Sequence, residues 1–197
     1  MWPAADQICY DCILQDVPFL EAAAKRCPRH RRAIQAGGNA GMYPLALANH
    51  FGRVVTFEPE ETNHYCLVEN TKDRDNIEVH NAALGNSHQA VKLWGWAPNS
   101  GSWEVAGAGT IPQMKLDDFG YDDVDFVQLD IQGCEWQALM GGEQTIKRCR
   151  PVLMVEETLG NKSGLRQLLA DWGYVEQAAT GPADKSGVRD AVYTCES

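Results

Sequence analysis

Short apolar runs alternate with segments of helical periodicity along most of the chain. AIQAG (33–37), VVTFE (54–58), NIEVHNAAL (76–84), DFVQLDI (125–131) and PVLMVEE (151–157) read as strands, nearly apolar throughout, as strands covered on both faces are. Between and after them, MYPLALANHF (42–51), ETNHYCLVENTK (61–72), CEWQALMGGEQTIKRC (134–149) and SGLRQLLADWGY (163–174) carry helical patterns, and YVEQAA (174–179) and AVYTC (191–195) are weaker strand signals. A further helical stretch, DVPFLEAAAKRC (16–27), has a Leu20/Ala23/Ala24/Cys27 face. Strand and helix in alternation predict an α/β fold with a mostly parallel sheet flanked by helices. The pattern breaks once. HQAVKLWGWAPNSGSWEVAGAGTIPQMKLDDF (88–119) is rich in Trp, Gly and Ser, and reads as strand and loop. Insertions of this length in a regular α/β chain often carry specificity.

At 197 residues and 44% hydrophobic, the expectation is one domain spanning 1–197: a helical segment over 1–30, a core over 31–160 that contains an insertion at 86–119, and a helix with strands over 161–197. The net charge of −10, from 27 acids against 17 Lys and Arg, disfavours long nucleic acid, whose binding rests on clustered cations. No apolar run approaches the roughly 20 residues needed to span a bilayer. The opening MWPAADQICYDCILQD has acids and no early Lys or Arg, so it does not read as a secretory signal, and a cytoplasmic protein is expected.

Seven cysteines are scattered through the strand and helix patterns, which suits reduced core thiols. Cys9, Cys12, Cys27 and His30 have a CxxC and CxxH spacing that zinc could use. The helical character of 16–27 argues instead for ordinary core cysteines, and no metal site is expected.

The candidate chemistry begins at AIQAGGNAGMYP (33–44). A strand, a glycine loop and a helix in that order bring backbone N–H groups to the carboxyl edge of a sheet, where such folds bind ligands. Measured against GxGxxG the loop is one glycine short, with Ala36, Gly38 and Gly41 at the three positions, and a close packing turn would also use glycine. Glu58 ends the second strand 20 residues after Gly38, where an acid can accept hydrogen bonds from both hydroxyls of a ribose. Loop and acid together read as an adenosine pocket, which serves NAD or S-adenosylmethionine equally.

Four segments then carry a resemblance: AIQAGGNAGMYP, VVTFEPEETNHYCLVEN, IEVHNAALG, and the run from MKLDDFGYDD through VDFVQLDIQGCEW to RPVLMVEE. In order and spacing they resemble the FkbM family of S-adenosylmethionine-dependent methyltransferases over roughly residues 30–160. The resemblance implies a Rossmann-like class I methyltransferase fold, S-adenosylmethionine as cofactor, and O-methylation of a sugar, glycan or other small-molecule hydroxyl. It places Gly37, Gly38, Asn39 and Gly41 under the methionine and ribose, Glu58 on the ribose hydroxyls, Asn81 and Ala82 beside the adenine, and Gln35 at the amino-acid end. Many members have Asp where Gln35 stands and an acid where Gln132 stands.

Asp130 ends the fourth strand of the core, where it can reach the cofactor's amino group or the incoming hydroxyl. Its alternative role is to cap the helix that begins near Cys134. Methyl transfer to a hydroxyl needs a group to receive one proton. Asp130 is the first choice and Glu156 the second, ahead of His80 and His88, which as histidines beside strands are ordinary polar residues by default. Trp94, Trp96 and Trp103, with Asn99, Ser100 and Ser102 among them, either line an acceptor site or cover the sheet edge. A binding module without catalysis and an NAD-dependent oxidoreductase remain as alternative functions.

Overall fold

A computed structural model describes residues 1–180 and 187–195. Its main sheet, among the described residues, has seven strands: β1 (Arg32–Ala36), β2 (Arg53–Phe57), β3 (Ile77–His80), β8 (Val124–Leu129), β9 (Val152–Glu157), β10 (Tyr174–Ala179) and β11 (Arg189–Cys195), in the order β10-β11-β9-β8-β1-β2-β3. The five strands from β3 to β9 are parallel, whereas β11 runs antiparallel to both β9 and β10. The apolar runs are apolar because both faces are covered. Ala33, Val54, Phe126 and Met154 pack with Leu20, Tyr43 and Leu47 on one face. Ile34, Val55, Val127 and Leu153 pack with Leu139, Ile146 and Leu165 on the other. The helices on the first face are α1 (Cys9–Ala24) and α2 (Met42–Leu47). Those on the second are α4 (Glu135–Gly141), α5 (Glu143–Cys149) and α6 (Lys162–Asp171), and α3 (Glu61–Thr71) links β2 to β3. No helix among the described residues is long and apolar enough to cross a membrane.

Three elements differ from the sequence expectation. The first helix begins at Cys9, not near residue 16, because the Asp6 carboxylate accepts from the N–H groups of Cys9 and Tyr10, both at 3.1 Å. Cys9 and Cys12 therefore sit on a helix, and the Cys27 thiol donates to the Asp125 carbonyl at 3.2 Å. The helix expected over 134–149 is two helices meeting at Gly142. A Cβ at Gly141 would lie 1.9 Å from the Gly85 carbonyl oxygen, so the chain approaches too closely there for any side chain. The third strand ends at His80, not at 84. After a turn at 81–82, Ala83–Leu84 forms β4, which pairs with β7 (Gln113–Met114).

The insertion is strand and loop, as its composition implies. β5 (Val91–Trp94) and β6 (Glu104–Ala108) form a separate antiparallel hairpin, followed by β7 and a 3-10 turn at Leu116–Phe119.

β1 and β8 are neighbours whose crossovers lead to opposite sides of the sheet, which makes their carboxyl ends the topological switch point. Gly37 occupies the gap there with φ +86°, and a Cβ on it would lie 2.0 Å from the Asp130 carbonyl oxygen. Gly37→Ala combines a strained backbone with a clash against main chain. It is expected to destabilise the protein by about 2–4 kcal/mol in denaturant unfolding, and a loss below about 0.5 kcal/mol would show that the turn does not need glycine.

Candidate functional site

The turn after β1 is closed by its neighbour. The N–H groups of Gly37 and Gly38 both donate to the Phe57 carbonyl, at 3.1 and 3.0 Å, which bends the chain sharply out of the sheet. Asn39 follows with φ 44°, and its N–H donates to Glu58 Oε2 at 2.7 Å. The second oxygen of Glu58 accepts from the Glu60 N–H at 2.8 Å. One carboxylate thus ties the glycine loop to the entrance of α3. Burial pushes the Glu58 carboxyl up to about 7 in spite of these N–H donors.

Above this loop lies a cavity of about 540 Å³, a usual size for a cofactor or substrate site. Gly37, Asn39 and Glu58 line one end, with Ala83 and Leu84 beside them. Asp130, Ile131 and Gln132 line the middle, and Glu156, Asp190 and Asp16 the far end. Ile8, Leu93, Trp103 and Val105 form an apolar wall contributed by the N-terminal segment and the hairpin. The hairpin loop is fastened down through Ser100. Its N–H donates to Asp6 Oδ1 at 2.9 Å, and its carbonyl accepts from Asn39 Nδ2 at 3.0 Å and Asn63 Nδ2 at 2.8 Å.

Asp130 follows directly on β8, held by its N–H to the Ala36 carbonyl at 3.1 Å. It does not cap α4. The N-cap is Cys134, and the preceding turn is held by buried Glu135, whose Oε1 accepts from the N–H groups of Ile131 and Gly133 at 3.0 and 3.1 Å. Gln132, at φ 53°, aims its amide between two acids, 3.4 Å from Asp130 Oδ1 and 3.5 Å from Glu156 Oε2.

Asp190 pairs in register with Glu156 across β11 and β9, so the two side chains share a face of the sheet. Burial, reinforced by the neighbouring carboxylates, raises Asp130 and Glu156 above the ordinary carboxyl range and pushes Asp190 up to about 8. Asp16 is raised by burial too, against a hydrogen bond from Tyr43.

Several residues fall elsewhere than the sequence suggested. Gln35 does not reach the cavity. It is fully buried in the sheet, donating through Nε2 to Gln128 Oε1 and to the Gly37 carbonyl, both at 2.9 Å, while Thr56 donates to its Oε1. Thr56, Gln35 and Gln128 form one row across β2, β1 and β8, so Gln35 ties strands and props the glycine loop from below. Gly38 and Gly41 back onto Leu67 of α3 instead of facing the cavity. Asn81 donates to the Glu58 carbonyl at 3.0 Å and Ala82 is buried, so the wall beside Glu58 is made one and two residues later, by Ala83 and Leu84. His80 is stacked on Phe57 and paired with Glu78, and His88 faces Asp118, both outside the cavity. Of the three tryptophans only Trp103 lines it, while Trp94 and Trp96 are 64% and 58% exposed.

Sequence reasoning missed Asp190, Asp16 and Tyr43. Asp190 stands just before the AVYTC signal, and Asp16 opens the stretch whose helical face was identified, but neither carries a local motif.

Residues 35–176 match the family described as methyltransferase FkbM domain. The chain is similar in structure to methyltransferase FkbM from Methylobacillus flagellatus KT (16% identity, TM-score 0.58), covering 93% of this chain and 60% of that one. It is also similar to an rRNA methylase from Streptococcus thermophilus (13%, TM-score 0.60, 94% and 96% covered). A third similar structure is magnesium protoporphyrin IX methyltransferase from Synechocystis PCC 6803 with bound SAM (11%, TM-score 0.55, 94% and 79% covered). The structural likeness shows that the chain shares the fold of these methyltransferases. No curated protein is a significant match.

Carboxyls held protonated in the fold above the pH at which they ionise unfolded have a direct consequence for stability. For Asp190 the folded chain binds more protons from about pH 4 to about pH 8, so stability falls as pH rises through that window. Asp190→Asn removes this liability. It is expected to raise the stability of the ligand-free protein by about 1 kcal/mol or more at pH 8 and by little at pH 4. Melting curves at the two pH values check this, and an equal effect at both would show that Asp190 is not held protonated.

Proposed function

The chain belongs to the FkbM methyltransferase family, and we propose that it transfers a methyl group from S-adenosylmethionine to a hydroxyl of a small-molecule or glycan acceptor. The observation that carries this reading is one cavity, at the switch point of the sheet, holding Glu58 at one end and Asp130 with Glu156 further along.

The residues present fit the cofactor. Its ribose offers two hydroxyl donors, and the Glu58 carboxylate, with one N–H on each oxygen, keeps lone pairs for them. Its sulfonium and ammonium are cationic, and the cavity wall is rich in carboxylates. When bound, S-adenosylmethionine supplies a methyl group already activated by positive sulfur.

The work left to the protein is alignment, exclusion of water and removal of one proton. Ser100, tied to Asn39, Asn63 and Asp6, closes the hairpin loop over the glycine loop and shields the site. Asp130 receives the acceptor's proton. Its raised affinity for protons in this buried setting suits a base acting near neutral pH. Glu156, joined to it through the Gln132 amide, is the second carboxylate able to do so.

Calorimetry with S-adenosylhomocysteine and with NAD tests the cofactor. Micromolar binding of the first and none of the second is expected, and the reverse would make the protein an oxidoreductase. Glu58→Gln should weaken S-adenosylhomocysteine by about 10-fold or more, the worth of a hydrogen bond to a charged acceptor. A thermal melt of the variant controls for the loop it also supports, and unchanged affinity would remove Glu58 from the ribose. Formation of S-adenosylhomocysteine with hydroxylated acceptors, reduced in Asp130→Asn, distinguishes an enzyme from a module that only binds.

A further inference from the structure

The far end of the cavity holds carboxyl groups that the cofactor does not account for. Among the described residues five carboxylates line the cavity: Asp16, Glu58, Asp130, Glu156 and Asp190. The only described guanidinium on its wall, Arg189, is engaged by Glu157 Oε2 at 2.8 Å and Glu176 Oε2 at 2.7 Å. S-adenosylmethionine, with two cations and one carboxylate, brings a net charge of one. With Glu58 on the ribose and Asp130 beside the methyl, Asp16, Glu156 and Asp190 remain, the last two side by side on one face of β9 and β11. The Asp190 carboxylate accepts no hydrogen bond and meets no cation among the described residues, and Glu156 has only the Gln132 amide at 3.5 Å.

The same cavity has an apolar wall of Leu93, Trp103 and Val105. Two neighbouring buried acids hold their protons in the empty cavity and are ionised at little cost only where a cation joins them. An aromatic and aliphatic wall in the same cavity suits the organic body to which such a cation is attached.

From this juxtaposition we propose that the methyl acceptor is a cationic amine with an apolar body, its ammonium seated between Glu156 and Asp190. The proposal rests on the methyltransfer reading above and adds the substrate class. It is consistent with the net charge of −10, which repels anionic acceptors at a distance. A metal ion is a poorer occupant, since no group of three His, Cys, Asp or Glu among the described residues is arranged to hold one.

The test uses the full chain saturated with S-adenosylhomocysteine and three probes of one shape: tyramine (cationic), 4-ethylphenol (neutral) and 3-(4-hydroxyphenyl)propionate (anionic). Calorimetry should show tyramine binding at least 10-fold tighter than 4-ethylphenol and the propionate weakest. Asp190→Asn should remove the preference for tyramine while leaving S-adenosylhomocysteine and 4-ethylphenol unchanged. Equal binding of the three probes, binding of none, or Mg²⁺ saturating the site in a way lost in Asp190→Asn overturns the proposal while S-adenosylhomocysteine still binds. Absence of S-adenosylhomocysteine binding overturns the methyltransfer reading and this inference with it.

Discussion

Two N–H groups, of Gly37 and Gly38, converge on the single carbonyl of Phe57, and the position of everything in the cavity follows from that junction. It forces the chain out of β1 in a conformation with positive φ, against the main chain at Asp130, where no Cβ can be accommodated. The turn in turn presents the Asn39 N–H to Glu58, so the acid on β2 and the loop after β1 fix each other. Beneath them the row of Thr56, Gln35 and Gln128 holds the three strands in register and donates a hydrogen bond to the loop. The pocket is thus built on sheet geometry, which is more exact than any loop standing alone.

Charge is the second organising feature. The cavity collects acids from β2, β8, β9, β11 and α1, and burial makes them hold protons that exposed carboxyls would have released. Such an arrangement costs stability in the ligand-free protein, and the same free energy favours any cation that enters.

Gln35 shows how family knowledge and geometry divide the problem. The resemblance placed it beside the cofactor, at a position where many relatives carry an acid. In the structure its amide is spent within the sheet, since a fully buried polar group must find partners and Thr56, Gln128 and the Gly37 carbonyl are nearest. Gln132 shows the converse. An amide where relatives often have an acid becomes a donor facing Asp130 and Glu156, the one side-chain hydrogen-bond donor that this pair has among the described residues.

The alternation of apolar runs, the glycine loop and the acid ending VVTFE were sufficient to determine the sheet, its parallel core and the edge at which the cavity lies, because these depend on neighbours in sequence. The carboxylates Asp130 and Glu156 were legible for the same reason, each ending a strand. What the chain alone could not disclose was convergence. Asp190 reaches Glu156 only through the antiparallel register of β11 on β9, Asp16 through the packing of α1, and Trp103 through the fold-back of the hairpin, while Trp94 and Trp96 stay outside. Periodicity records which face of an element is buried. Which buried faces meet, and which charges they bring together, is set by register and crossover, and these exist only in the folded molecule.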